Sequence, residues 1–260
     1  STAPPARGDW KTIRFQGTSD DAFCVIDSCV LKYGGREAGT WGIVSFVDAN
    51  GTVSNSTVTD SYQYGVSCDG ASMATIDRVD IRNCRLDPIA MSLTADPVFT
   101  NITFAANRSN GIRVLEGTLS SNARLRKRDV AGYNNIAYIV EYLTIGQNAV
   151  LTIDPGVVIK LPAGWYYRSI TVDGALVANG TFVQRIIFTS LNDDSNGGDT
   201  NNDGNASSPA KGDWWALMFS TTSNDTINAL RNCDFRYGGA PPYGDPTLKN
   251  YGMVQLHSAR

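Results

Sequence analysis

The chain repeats itself on two scales, and this limits its fold more than any other feature. Pro5-Ala-Arg-Gly-Asp-Trp-Lys-Thr-Ile-Arg-Phe15 returns as Pro209-Ala-Lys-Gly-Asp-Trp-Trp-Ala-Leu-Met-Phe219, and Cys29-Val-Leu-Lys-Tyr-Gly-Gly35 returns as Cys233-Asp-Phe-Arg-Tyr-Gly-Gly239. Across residues 5–35 and 209–239, 13 of 31 positions are identical without a gap, all at an offset of 204. After unequal loops, Trp41-Gly42-Ile43-Val44 is answered by Tyr251-Gly252-Met253-Val254. Residues 1–204 therefore read as one long repeat unit, and residues 205–260 as the start of a second homologous unit in the same continuous solenoid.

A shorter period runs inside that unit. Gly42, Gly65 and Gly111 are spaced by 23 and twice 23, and Val53, Ile76 and Phe99 by 23, as are Val58, Ile81 and Phe104. Between them, Ile76-Asp-Arg-Val79-Asp-Ile81 and Thr100-Asn-Ile102-Thr-Phe104 alternate in the manner of strands with one buried face. A fixed period of this length signals a stacked architecture. Strands so short cannot bury a face alone, and stacking sets Val53, Ile76 and Phe99 above one another as a continuous core. A propeller blade needs about 40 residues or more, and the signature of a leucine-rich repeat is missing. An all-β parallel β-helix remains, with coils of about 23 residues and longer loop insertions.

Composition narrows the function. Only 18% of residues are charged, the net charge is −3, and 25 glycines and 10 prolines indicate many turns. An acidic chain without a basic face does not suit nucleic acid. No apolar run approaches the roughly 18 residues of a membrane span. The opening Ser-Thr-Ala-Pro-Pro-Ala-Arg has no apolar signal core, so Ser1 is expected to be a processed or excised start. The one histidine, His257, has no second histidine to share a metal or a triad. Cys24, Cys29, Cys68, Cys84 and Cys233 lack CxxC spacing; they read as small buried apolar residues, with a single bridge as the alternative.

The second half carries a specific run of motifs. Tyr138-Ile-Val-Glu-Tyr-Leu-Thr-Ile-Gly-Gln-Asn-Ala-Val-Leu-Thr-Ile-Asp-Pro-Gly-Val-Val-Ile-Lys160 leads into Ile170-Thr-Val-Asp-Gly-Ala-Leu-Val-Ala-Asn-Gly-Thr181, then Ile186-Ile-Phe-Thr-Ser190, an Asp/Asn/Gly loop and Gly212-Asp-Trp214. This order resembles the large secreted right-handed parallel β-helix repeat proteins of prokaryotic cell surfaces. The resemblance implies a pectate-lyase-like superfold and a secreted or cell-surface location. It implies no activity, since such scaffolds serve many functions.

The loop Asn192-Asp-Asp-Ser-Asn-Gly-Gly-Asp-Thr-Asn-Asn-Asp-Gly204 holds the clearest candidate site. Asp199, Asn201 and Asp203, followed by Gly204, have the spacing of the first half of a calcium loop: alternate oxygen ligands, then glycine for the sharp turn. No distal glutamate follows, so Asp193 or Asp194 has to complete a Ca²⁺ shell; the other reading is a polar insertion that needs no ion. Trp10, Trp165, Tyr166, Tyr167, Trp214 and Trp215 can stack on sugar rings or wedge the start of a coil, and the Trp10/Trp214 correspondence favours the wedge. The run Arg124-Leu-Arg-Lys-Arg128 reads as a solvated turn rather than a site for an anionic polymer. Asn-x-Ser/Thr occurs seven times, with Asn50, Asn205 and Asn224 the expected glycosylation sites.

Catalysis has little to work with. Gly-His-Gly, carried by polygalacturonase-like β-helices, cannot occur around His257. Asp69, Asp77, Asp80 and Asp87 near Arg78, Arg82 and Arg85 could form a lyase-like cluster, but their alternation with Ile76, Val79 and Ile81 is that of a solvated outer face. The expectation is a non-enzymatic structural or adhesive segment of an extracellular fibre or surface protein. Its partners would be copies of itself or adjacent repeat units, head-to-tail, and surface glycans. The alternative is a polysaccharide-active module, either lyase-like or glycan-binding.

Overall fold

Each apolar face that the 23-residue period lines up is covered by the same face of the next coil. In the computed structural model, residues 3–36, 39, 41–115, 117–164, 168–240 and 252–257 are described. They are almost entirely short parallel strands, with one 3₁₀ turn at Asp21–Phe23. Two compact units result, Ser1–Leu115 with Asp129–Asn134, and Glu116–Arg128 with Asn135–Arg260. This division follows packing, so it falls elsewhere than the 204-residue recurrence.

In the first unit, one stack runs Ile13–Gln16, Gly42–Val47, Tyr64–Asp69, Ile89–Met91, Ile112–Val114. A second is built on the eight-residue strands Thr52–Thr59 and Thr75–Arg82. There Ile26, Val53, Ile76 and Phe99 are in register, as are Leu31, Val58, Ile81 and Phe104. The two ladders lie on either side of a corner. Ser28, Asn55, Arg78 and Asn101 occupy it with φ of 55°, 47°, 52° and 50°, a left-handed conformation that asparagine tolerates and arginine does not favour. Side chains hold it in place: Asn55 Nδ2 donates to Asp27 Oδ1 at 2.7 Å, and Arg78 Nε to Asn55 Oδ1 at 2.6 Å. The corner resets the alternation, so that Ile76, Val79 and Ile81 all point inward from one bent strand.

The 23-residue step is not uniform. Gly42 lies opposite Tyr64, not Gly65, because Val44 pairs with Val66 at an offset of 22; the offset is 23 from Val66 to Ile89. Cys24, Cys68 and Cys84 are buried and all five cysteines are free thiols. Cys29 and Cys233 are only half-buried: Cys29 lies between the strands Val25–Asp27 and Val30–Lys32, and Cys233 opens the terminal strand Cys233–Phe235 of its stack.

The second unit has three stacks. Leu119, Ile145, Val172 and Phe219 form one internal ladder, Leu125, Ile153, Ala178 and Leu230 another. Ile159, Phe188 and Phe235 form the third, with the two phenyl rings stacked at 4.7 Å. Between Ile186 and its partner Cys233 the step lengthens to 47 residues, which accommodates the acidic loop. No helix among the described residues is long and apolar enough to cross a membrane.

The recurrence at offset 204 is reproduced in three dimensions. Trp10 Nε1 donates to Lys32 O at 2.7 Å, and Trp214 Nε1 to Arg236 O at 2.8 Å. A Cβ on Gly34 would lie 2.7 Å from the Trp10 ring, and one on Gly238 2.6 Å from the Trp214 ring. Each indole is thus clamped over a glycine that has no room for a side chain. Trp214, fully buried, is a wedge at the start of a coil rather than a sugar platform.

Candidate metal centre

The acidic loop leaves the strand Ile186–Ser190 and returns at Leu217–Phe219, entirely within the second unit. Gly197, Gly198, Asn202 and Gly204 have φ of 72°, 73°, 56° and 71°, which lets the chain coil tightly. Gly197 is pressed against the core: a Cβ there would lie 3.0 Å from Ala137 Cβ and 3.5 Å from Lys160 Cε.

Of the five proposed ligands, the structure gathers three carboxylates. Asp194, Asp199 and Asp203 each offer an oxygen within 4.8 Å of the others. Asn201 lies among them, its Nδ2 donating to Asp203 Oδ2 at 2.8 Å and Ser207 Oγ at 2.9 Å. Asp199 accepts from the backbone N–H of Asp203 at 3.0 Å and of Gly204 at 2.9 Å, closing the turn. Three oxygens are buried without a hydrogen-bond donor: Asp194 Oδ1, Asn201 Oδ1 and Asp203 Oδ1. Buried oxygens without donors are costly, and an oxygen-only set of three carboxylates and an amide suits a hard divalent cation such as Ca²⁺.

Asp193 is not part of this set. It is buried, and its carboxylate accepts from Thr189 Oγ1 at 2.6 Å, Ser195 N at 3.1 Å and Asn196 Nδ2 at 3.1 Å. Burial acts to raise its pKa, but the bonds from Ser195, Thr189 and Asn196 outweigh it and hold the carboxyl below the usual range. Asp194, which the cluster does include, shifts the other way, raised first by burial and then by the charge of Asp199.

Sequence reasoning missed Lys160. It is fully buried, and its Nζ donates to Gly198 O at 2.7 Å. Burial pushes its pKa down to about 8 against the pull of Asp194, Asp193 and Asp199. The available signal was a lysine inside the otherwise apolar run Val157-Val-Ile-Lys-Leu161.

The remaining candidates do not converge. Asp77 pairs with Arg78, Asp80 with Arg82 at 3.3 Å, and Arg85 lies over the Tyr62 ring at 4.7 Å. Asp87 is not on a solvated face: it is buried, with Arg113 Nε at 2.7 Å and Ser109 Oγ bonded to it, because the loop before Ile89–Met91 turns it inward. The basic run is not a free turn either. Ala123–Leu125 is a strand, Arg124 pairs with Asp154 at 2.6 Å and Arg128 donates to Tyr138 OH at 2.9 Å. Trp165, Tyr166 and Tyr167 lie outside the described residues. Asn205 and Asn224 are exposed, but the Nδ2 of Asn50 donates to Asp21 Oδ2 at 3.0 Å, which ties up the nitrogen a glycan would need. His257 is exposed, and its ring nitrogen lies 3.3 Å from Gln255 Oε1.

Parallel coils stacked around internal ladders of aliphatic residues define a β-helix. A family model described as "Right handed beta helix region" matches residues 10–152, more than half of the chain; the chain belongs to the right-handed β-helix family. No curated protein and no solved structure matches it.

Proposed function

We propose that the chain is a structural and adhesive segment of an extracellular fibre or surface protein, in which β-helix copies join head-to-tail and Ca²⁺ fixes each joint. The observation that carries this reading is the joint itself. The opening coil of the second copy, Leu217–Phe219, Ala229–Arg231 and Cys233–Phe235, pairs in parallel with Ser169–Val172, Ala175–Asn179 and Ile186–Ser190 of the first. One copy thus continues the core of the other, and the loop bearing Asp194, Asp199, Asn201 and Asp203 bridges the two. Stability in such a stack is a sum of units and nearest-neighbour interfaces. Exposed Asn205 and Asn224 fit a glycoprotein surface.

The test is a chain in which residues 1–204 are duplicated ahead of 205–260. It is expected to melt in one transition, higher than the single-copy protein. Two independent transitions at the original temperature would overturn the stacking. The polysaccharide-active alternative is tested on pectate, alginate and chondroitin: release of unsaturated sugars, abolished by Arg82→Ala or Arg85→Ala, would establish it instead.

A further inference from the structure

The basic run is a motif to which the preceding chemistry gives no function. Arg126, Lys127 and Arg128 are consecutive, and nowhere else in the sequence do two lysines or arginines adjoin. Arg126 and Lys127 are exposed, on backbone that forms neither strand nor turn between Ala123–Leu125 and the bridge at Val130. The flanks are held: Arg126 O accepts from Tyr138 OH at 2.7 Å, and Arg128 O from Ile136 N at 2.9 Å. Lys127 is thus presented to solvent between two anchored neighbours.

The run leads directly into a clasp. Glu116–Arg128 belongs to the second unit, but Asp129–Asn134 packs in the first before the chain returns at Asn135. There Val130 and Tyr133 exchange backbone hydrogen bonds of 3.1 and 2.9 Å around Ala131 and Gly132, whose φ of 53° and 81° make a tight two-residue hairpin. The hairpin faces Phe99, Asn101 and Ile102 across a cavity of about 250 Å³. Phe99 ends the ladder of Ile26, Val53 and Ile76, and among the described residues no further strand pairs with Val98–Thr100. Val130 is buried, with 4% of its surface exposed. The hairpin therefore stands over the end of the ladder, the kind of open edge that solenoids cap. An isolated hairpin is marginally stable, so its hold depends on packing and on a tether at each end.

We infer that Arg126–Arg128 is a processing site for an endoprotease of trypsin-like specificity, and that a cut there unfastens the clasp without separating the two fragments. Water adds across the Lys127–Arg128 peptide bond: Lys127 keeps the carbonyl carbon as a carboxylate, Arg128 takes the nitrogen as an ammonium, and nothing is oxidised or reduced. Exposed segments of this kind are where proteolytic nicks concentrate, and the Lys127 ammonium is the cation that such a protease selects in its acidic pocket. Before the cut lie Gly117–Leu119 and Ala123–Leu125, which stay paired with Tyr142–Ile145 and Val150–Ile153 beyond it. The clasp, by contrast, is left tethered only through Asn135, and the regained chain freedom favours its opening. The inference goes beyond the proposed function and is independent of how copies join and of the acidic loop.

The experiment is limited digestion of the 260-residue chain with trypsin, the fragments read by mass spectrometry and the nicked protein by hydrogen exchange. Between Gly42 and Ala240 the first cut is expected after Lys127, and the two fragments should elute together from a size-exclusion column. The rate of that cut should fall about tenfold or more in Arg126→Gln/Lys127→Gln. Both positions are exposed, and an unchanged circular dichroism spectrum will confirm that the variant folds. In the nicked protein the amides of Val130 and Tyr133 should exchange about tenfold faster or more, while those of Val53 and Ile76 keep their protection. A first cut elsewhere in that range, an undiminished rate in the variant, fragments that part, or unchanged exchange at Val130 and Tyr133 would each overturn the inference.

Discussion

Replacing Asp194 with asparagine should act with opposite signs in the absence and presence of calcium. Without calcium, Asp194, Asp199 and Asp203 hold oxygens within 4.8 Å of one another. At an effective dielectric of about 20, unit charges that close repel by roughly 3 kcal/mol per pair, a figure that solvent and the Lys160 ammonium reduce. Asp194→Asn removes one of the three charges, so in chelator the variant is expected to be more stable than wild type by about 1 kcal/mol. The wild-type folded pKa of Asp194 is raised. Its contribution is therefore favourable at low pH and lost as pH rises through that folded value, and the variant lacks this dependence. With calcium at a hundred times its dissociation constant, wild type should gain about 2.7 kcal/mol. For a unit of this size that is a rise of roughly 5–10 °C in melting temperature. Asp194→Asn should lose most of that rise, because a neutral amide oxygen replaces one of three anionic ligands. Scanning calorimetry of both proteins, with chelator and with calcium, decides it. An equal calcium response in the two proteins, or a variant less stable than wild type in chelator, refutes the reasoning.

Three further predictions probe the scaffold. In chelator, wild type should gain about 3 kcal/mol relative to Lys160→Met as pH rises from about 7 to 11. The buried ammonium titrates near 8 when folded and near 10.5 when unfolded, so the unfolded state binds more protons across that window; parallel pH–stability curves from urea titrations would contradict it. Asp87→Ala takes from buried Arg113 the carboxylate that lies 2.7 Å from its Nε and should cost about 3–5 kcal/mol, with much of the loss recovered by also changing Arg113→Met; a loss under about 1 kcal/mol by urea denaturation would show the pair to be dispensable. Gly238→Ala drives a methyl to 2.6 Å from the Trp214 ring and should cost about 1–3 kcal/mol, read as a lower urea midpoint, and an unchanged midpoint would show that the indole can move aside.

The sequence alone determined the ladders. Because a solenoid stacks residues one period apart, Val53, Ile76 and Phe99 had to superpose, and the structure pairs them so. The Trp and Gly of Trp10/Gly34 recur at Trp214/Gly238 for the same reason: one indole needs one side-chain-free neighbour. The acidic loop was legible as an oxygen-rich turn, since aspartate spacing and the closing glycine are local properties. Only the tertiary structure decided which aspartates meet. Asp193 and Asp194 are adjacent and chemically identical, yet Thr189, Ser195 and Asn196 claim the first and leave the second facing Asp199. In an irregular loop the direction of a side chain follows competition among hydrogen-bond donors, which periodicity does not encode. Lys160 beneath the loop and Arg113 upon Asp87 were hidden for a related reason. Each is a long-range partner across a coil or an insertion, brought near by stacking at 38 and 26 residues' distance along the chain.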